Sequence, residues 1–236
     1  MKKMKKYELT TNTIVHMGRT LYQIKALMNF GIIRDGDLGG YIESEKNLSQ
    51  EGNAWVYGNA EAYGNAWVCD NAKVYGNAKV SGDTEVCDDA EVCGNAWVCG
   101  DAKVYDNAKV CGNAWVCDDA KVYNNAEVYG DAKVCGDAKV CNNAAVYGDA
   151  KVCGDAKVCG DYDYTLIKGF GTKYRNTTFF RCEDGNVRVT CGCFYGTIEE
   201  FREQVKTTRT GKIAEEYLMI ADLMEFHFRE ENTNDM

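Results

Sequence analysis

From Gly52 to Cys159 the chain divides into six-residue units without an insertion. GNAWVY, GNAEAY, GNAWVC, DNAKVY and GNAKVS open the series and GDAKVC closes it, so that 108 residues make 18 hexads of consensus [GDN]-[ND]-A-x-V-[YC]. A period this short leaves few folds open. Within Ala-x-Val-[Tyr/Cys] the pattern alternates as a strand does. Ala and Val therefore share one face, and x and the last residue share the other. Gly-Asn or Gly-Asp supplies the corner between strands, because these residue types tolerate positive φ. A strand of four residues cannot bury its Val alone, whereas a stack of such strands buries a continuous Ala/Val column. Thr84 in place of Ala and Ala62 in place of Val keep the inner positions small or apolar. The expected fold is mainly β: a parallel β-helix.

The hexad pattern, with Tyr or Cys after the aliphatic residue as in Val104-Tyr105, resembles the hexapeptide-repeat superfamily. That resemblance implies a left-handed β-helix with three hexads per coil, hence about six coils here. The family often has Gly directly after the aliphatic residue. This chain departs from that, which moves the positive-φ position one residue along. The lead-in GGYIESEKNLSQEGNAWVYGNA is similar to that of the uncharacterised YdcK-like β-helix proteins of bacteria and their phages, over roughly residues 7–160. It brings no established activity. Gly39 to Gly52 keeps the hexad phase and is expected to lay down an irregular first coil, with Ile42 and Leu48 in the Ala column.

Three hexads per coil stack residue n beneath n+18, and the sequence sorts by that step. Asp83, Asp101, Asp119, Asp137 and Asp155 fall on one corner, and Lys103, Lys121, Lys139 and Lys157 on the adjoining face. Lys73, Glu91, Lys109 and Glu127 alternate in sign on another face. Trp97 lies under Trp115, Tyr57 under Tyr75, Cys93 under Cys111 and Tyr129 under Tyr147, and Cys99, Cys117, Cys135 and Cys153 form a four-rung column. Trp97, Trp115 and the five corner aspartates are the candidate binding residues. Each has a plainer reading. The aspartates are turn formers repeated by duplication, and the tryptophans stabilise by stacking across strands. The cysteines serve as small, half-apolar outward residues. Metal binding by the cysteine column is the weaker reading, since no His or second ligand type accompanies it. No cofactor and no metal are expected.

The ends do not repeat. Residues 1–39 read as a small β-cap, with strands at Lys6–Thr10, Thr13–His16 and Thr20–Leu27 and a hairpin turn at Met17-Gly18-Arg19. The β-helix occupies 40–161. At its end Tyr162 and Tyr164 fall in the Ala and Val columns, where they would plug the interior. Residues 162–236 read as an α+β cap: a hairpin of Thr177–Cys182 with Val187–Cys191, a helix opened by the capping box at Thr197 and running to about Thr207, and a second helix from about Lys212 to Arg229. Cys182, Cys191 and Cys193 make a poor zinc set, with one Cys-x-Cys and no knuckle.

The net charge of -9 argues against a nucleic-acid binder that works through a basic face. The basic Met1–Lys6 is followed by no apolar run, which excludes a secretory signal, and no stretch is suited to spanning a membrane. A cytoplasmic chain with reduced cysteines is expected, and 13 cysteines do not pair completely. Residues 52–159 contain no His; His16 and His227 lie at the ends. The superfamily's acyltransferases need a His base and its carbonic anhydrases three His, so catalysis is not expected. The reading is a non-enzymatic structural or protein-interaction module with a protein partner. It makes no direct nucleic-acid contact, and its oligomeric state is open. One alternative is a phage-derived inhibitor of a host nucleic-acid enzyme, using the Asp corner as a decoy. A second is a divergent hexapeptide-type acyltransferase with His16 as base.

Overall fold

The computed structural model describes residues 4–171 and 174–229. Its body is a β-solenoid of about 7 turns. Each hexad contributes a short strand made of x and Val, such as Trp97–Val98, Lys103–Val104 and Lys109–Val110. These strands stack in parallel into three sheets. Partners lie eighteen residues apart: Trp97 faces Lys79 on one side and Trp115 on the other, Glu91 faces Lys73 and Lys109, and Lys103 faces Lys121. The rungs are tied by main-chain bonds such as Trp97 N–H to the Ala114 carbonyl and Cys99 N–H to the Val116 carbonyl, both 2.9 Å. Ala and Val of the repeats turn inward and are fully buried.

Between successive strands of the repeats the corner residue after Tyr or Cys holds positive φ, as at Gly76, Asp88 and Gly94. Gly76 illustrates why Gly is frequent there, since a Cβ would sit 2.9 Å from the Gly94 carbonyl oxygen. Where Asp or Asn replaces it, the side chain is put to use. Asp88 and Asp106, at φ 57° and 59°, accept the main-chain N–H of the next rung, Asp106 and Asn124, at 3.2 and 3.0 Å. A polar side chain thus offsets its conformational cost by satisfying a corner donor.

At the N-terminal end, Tyr7–His16 and Arg19–Ala26 form the expected hairpin, turned at Met17 and Gly18 with φ 47° and 77°. Arg19–Ala26 pairs antiparallel with Leu38–Ile42, which pairs parallel with Glu61–Ala62. The hairpin therefore lengthens one sheet of the solenoid. Tyr7, Ile24, Ile33 and Trp55 fill the end of the interior, with Tyr7 and Phe30 meeting Trp55 edge-on at 6.1 and 5.3 Å. Lys6 is drawn in with them: its ammonium donates to the Ala54 carbonyl at 3.0 Å, and burial lowers its pKa to about 8. Ile42 lies opposite Ala62 and Leu48 opposite Val68, so both occupy the Val column and not the Ala column. The first turn is two residues longer than the hexad phase implies. The excess lies between Leu48 and Val56, in a turn where the Glu51 N–H donates to Ser49 Oγ at 3.0 Å. Branched aliphatic side chains then fill the wider Val sites.

At the other end the plug differs from expectation. Tyr162 is 73% exposed, whereas Tyr164 is buried beside Tyr147. Phe180 and Cys182 complete the closure from a distant strand. Asp163 redirects the chain, its Oδ2 accepting the Cys159 and Gly160 N–H groups at 2.8 and 2.9 Å. The cap contains a four-stranded antiparallel sheet, Tyr164–Phe170, Arg175–Arg181, Val187–Cys191 and Phe194–Thr197, where one hairpin was expected. Helices α1 (Ile198–Thr208) and α2 (Gly211–His227) follow, and the Thr197–Glu200 capping box opens α1. Strand alternation sends Phe180 into the solenoid and its neighbour Phe179 into a second core with Phe201, Val205, Tyr217 and Met224.

Candidate interaction face

Along the seven parallel rungs of the nine-stranded sheet, one outward column reads Glu61, Lys79, Trp97, Trp115, Lys133 and Lys151 from its second rung on. The column beside it, two residues further in each hexad, reads Tyr63, Ser81, Cys99, Cys117, Cys135 and Cys153. The two candidate tryptophans are brought together here, with rings stacked at 5.6 Å and 7°. Such a pair adds about 0.5–1.5 kcal/mol beyond the area it covers. Each indole lies across the face and down one rung: Trp97 Nε1 donates to Ser81 Oγ and Trp115 Nε1 to Cys99 Sγ, both at 3.1 Å. The Lys133 ammonium sits 4.0 Å from the Trp115 ring, an attraction between cation and ring face. Trp115 remains 38% exposed. The result is a flat aromatic platform with lysines at its borders.

Below the platform, His16 reaches the same face from the N-terminal hairpin. Its Nδ1 lies 3.2 Å from Glu61 Oε2 and 3.4 Å from Lys79 Nζ, and its ring is 5.2 Å from Tyr63. Among the described residues His16 Nε2 is buried without a hydrogen-bond partner. The hexad period gives no sign of this cluster, because His16 belongs to a part of the chain that does not repeat.

The five corner aspartates stack in one column but not in one environment. Asp83 accepts from the Asn65 amide at 2.6 Å, and Asp155 accepts from Tyr195 OH at 3.0 Å under the C-terminal cap. Asp101, Asp119 and Asp137 are exposed, and no hydrogen bond or ion pair reaches their carboxylates among the described residues. The adjoining lysines turn elsewhere, Lys103 to Glu85 at 2.8 Å and Lys139 to Glu183 at 2.6 Å. On the third face the alternating column does pair, Lys73 with Glu91 at 3.0 Å and Lys109 with Glu127 at 3.8 Å.

The cysteines divide by face. Cys69–Cys87, Cys93–Cys111 and Cys141–Cys159 are disulfides between adjacent rungs, contrary to the expectation of reduced thiols. Parallel in-register rungs hold these Cα atoms 4.4–4.7 Å apart, at the short end of the disulfide range. The column beside the tryptophans stays free: Cys99, Cys117, Cys135 and Cys153. Burial, and then the Asp118 charge, push the Cys117 thiol up to about 12. Cys135 is the acidic member of the column, because the Cys153 thiol hydrogen-bonds to it and Lys133 and Lys151 stand nearby; Cys153 is raised in turn. In the cap, Cys182 faces Asp155 and Asp184 and is not gathered with Cys191 and Cys193. His227 packs on Phe228.

No protein-family model matches the chain, and no curated protein matches it in sequence. Among the described residues no helix is long and apolar enough to cross a membrane.

Proposed function

We propose that the chain is a non-enzymatic protein-interaction module whose contact surface is the platform around Trp97 and Trp115. We take the solenoid to be a left-handed β-helix of the hexapeptide-repeat kind, three hexads to the turn, that serves as a rigid mount. The observation that carries the reading is the parallel indole stack, with Trp115 38% exposed and both rings tied down by bonds to Ser81 and Cys99. Rigid aromatic surface costs little conformational entropy on binding and is enriched at interface hot spots. Lys79, Lys133 and Lys151 continue the same column. Charge complementarity therefore favours a protein partner that offers carboxylates around an apolar or aromatic group. Affinity purification from the native host with the wild-type chain and the Trp97→Ala/Trp115→Ala variant as baits identifies that partner. Calorimetric titration of it against both chains then decides. At least tenfold weaker binding by the variant, with further loss at high salt, supports the reading; unchanged binding removes this face.

A second reading rests on the carboxylates of Asp101, Asp119 and Asp137, unpaired among the described residues, which present negative charge on three successive rungs. As a decoy for a phosphate backbone, this strip would make the chain an inhibitor of a nucleic-acid enzyme. Salt-sensitive binding to a nuclease or helicase, weakened by Asp101→Asn/Asp119→Asn/Asp137→Asn, is its test. The acyltransferase reading has the His16–Glu61 contact in its favour. Turnover of an acyl-coenzyme A donor that survives His16→Ala would eliminate that base.

A further inference from the structure

Among the corner residues of the Trp face, Gly64, Gly82, Gly100, Asp118, Gly136 and Gly154, one position alone carries a side chain. Asp118 holds φ 61°, and its Oδ2 accepts the Gly136 N–H at 3.1 Å and the Cys117 thiol at 3.5 Å. One rung on, Cys135 completes a cluster in which Cys117 Sγ, a carboxylate oxygen of Asp118 and Cys135 Sγ lie within 4.8 Å of one another. This supplies the second ligand type that the cysteine column lacks in the sequence.

We propose that Cys117, Asp118 and Cys135 form a binding site for one thiophilic divalent cation of the zinc–cadmium class. Two thiolates and one carboxylate suit such an ion and disfavour magnesium or calcium, which take all-oxygen ligands. Bond lengths of about 2.3 Å to sulfur and 2.0–2.2 Å to oxygen bring tetrahedral ligand atoms to under ~4 Å. Rotation of the side chains about the fixed rungs closes the present spacing. Binding releases the two thiol protons to solvent. The three anionic ligands outweigh the cation by one charge, which Lys133 and Lys151, beside Cys135, offset. Asp118 is exposed, so water completes the fourth position. The related clusters are less suited. Cys69 and Cys87 beside Asp70 are bonded to each other. The cluster around Cys182 offers a single sulfur beside Asp155 and Asp184, and Asp184 is held by the Arg188 guanidinium. The site adjoins the tryptophan platform but does not depend on it, and its test involves no partner.

The full chain, treated with a chelator and holding seven titratable thiols, is titrated with Cd2+ while thiolate-to-metal charge transfer is followed in the ultraviolet. One equivalent per chain is expected to produce the band. Cys117→Ser/Cys135→Ser abolishes it, Cys191→Ser/Cys193→Ser leaves it unchanged, and Asp118→Asn weakens binding at least tenfold. Asn tolerates the left-handed corner and keeps a hydrogen-bond acceptor there, so this variant decides the matter even if the double serine variant misfolds. No band, a band that persists in the double serine variant, full affinity in Asp118→Asn, or a Cys117–Cys135 disulfide in the chelator-treated chain would each overturn the proposal.

Discussion

The solenoid and its C-terminal cap obey different rules. In the regular rungs of the solenoid an inner residue has the same neighbours one rung above and below, Val98 between Val80 and Val116, Val104 between Val86 and Val122. Stability is then close to a sum of equal nearest-neighbour contributions. In the cap no contact repeats. Phe180 closes the solenoid while Phe179 anchors α1 and α2 on the other side of the same strand. Damage in the solenoid is shared along its length, whereas damage at the junction removes a closure with no equivalent. A solenoid without its closure also exposes strand edges that invite pairing with other chains.

This contrast can be broken experimentally, beginning where the expected effect is greatest. Phe180→Ala should cost about 3–5 kcal/mol in denaturant unfolding and promote self-association visible by light scattering. A cost under 1 kcal/mol would mean that the closure is not special. Val98→Ala, Val116→Ala and Val134→Ala should each cost about 1.5–3 kcal/mol, and the three values should agree closely. A steep gradient among them would contradict the nearest-neighbour picture.

The N-terminal end carries a smaller, pH-dependent signature. Lys6 has a pKa of about 8 when folded, against 10.5 as its ordinary value. The unfolded chain therefore binds more protons between these limits, and stability rises with pH there. The penalty of the buried charge is fully present below pH 8 and relieved as pH climbs toward 10.5. Between about pH 7.5 and 9.5 the gain should be on the order of 1–2 kcal/mol, and Lys6→Met should flatten that slope. Least of all, Lys73→Gln should change stability by under about 1 kcal/mol, since the Lys73–Glu91 pair is half-exposed. A double-mutant cycle with Glu91→Gln measures the coupling.

The same contrast governs how much could be read from the sequence. The period announces the parallel stacking, the Ala/Val interior and the Trp97–Trp115 pair, because each is a consequence of an eighteen-residue step. It misplaces Ile42 and Leu48, since two residues inserted between Leu48 and Val56 shift the phase where no second copy exists to expose the shift. In the cap, capping chemistry and apolar spacing locate α1 and α2 to within about two residues. Tyr164–Phe170 and Phe194–Thr197 escape notice because their partners are set by tertiary pairing. Around the candidate face, the tryptophans are legible from spacing. The approach of His16 and the meeting of Asp118 with two sulfurs depend on where a hairpin folds and how a left-handed corner aims its side chain.

Everything proposed for these faces depends on residues eighteen apart lying on adjacent rungs. Mild oxidation of the folded chain followed by non-reducing digestion and mass spectrometry reads that register directly. The account predicts that intramolecular links within residues 69–159 join cysteines eighteen apart, led by Cys69–Cys87, Cys93–Cys111 and Cys141–Cys159. A dominant link at another separation, such as Cys87 to Cys99 or Cys111 to Cys135, would contradict it.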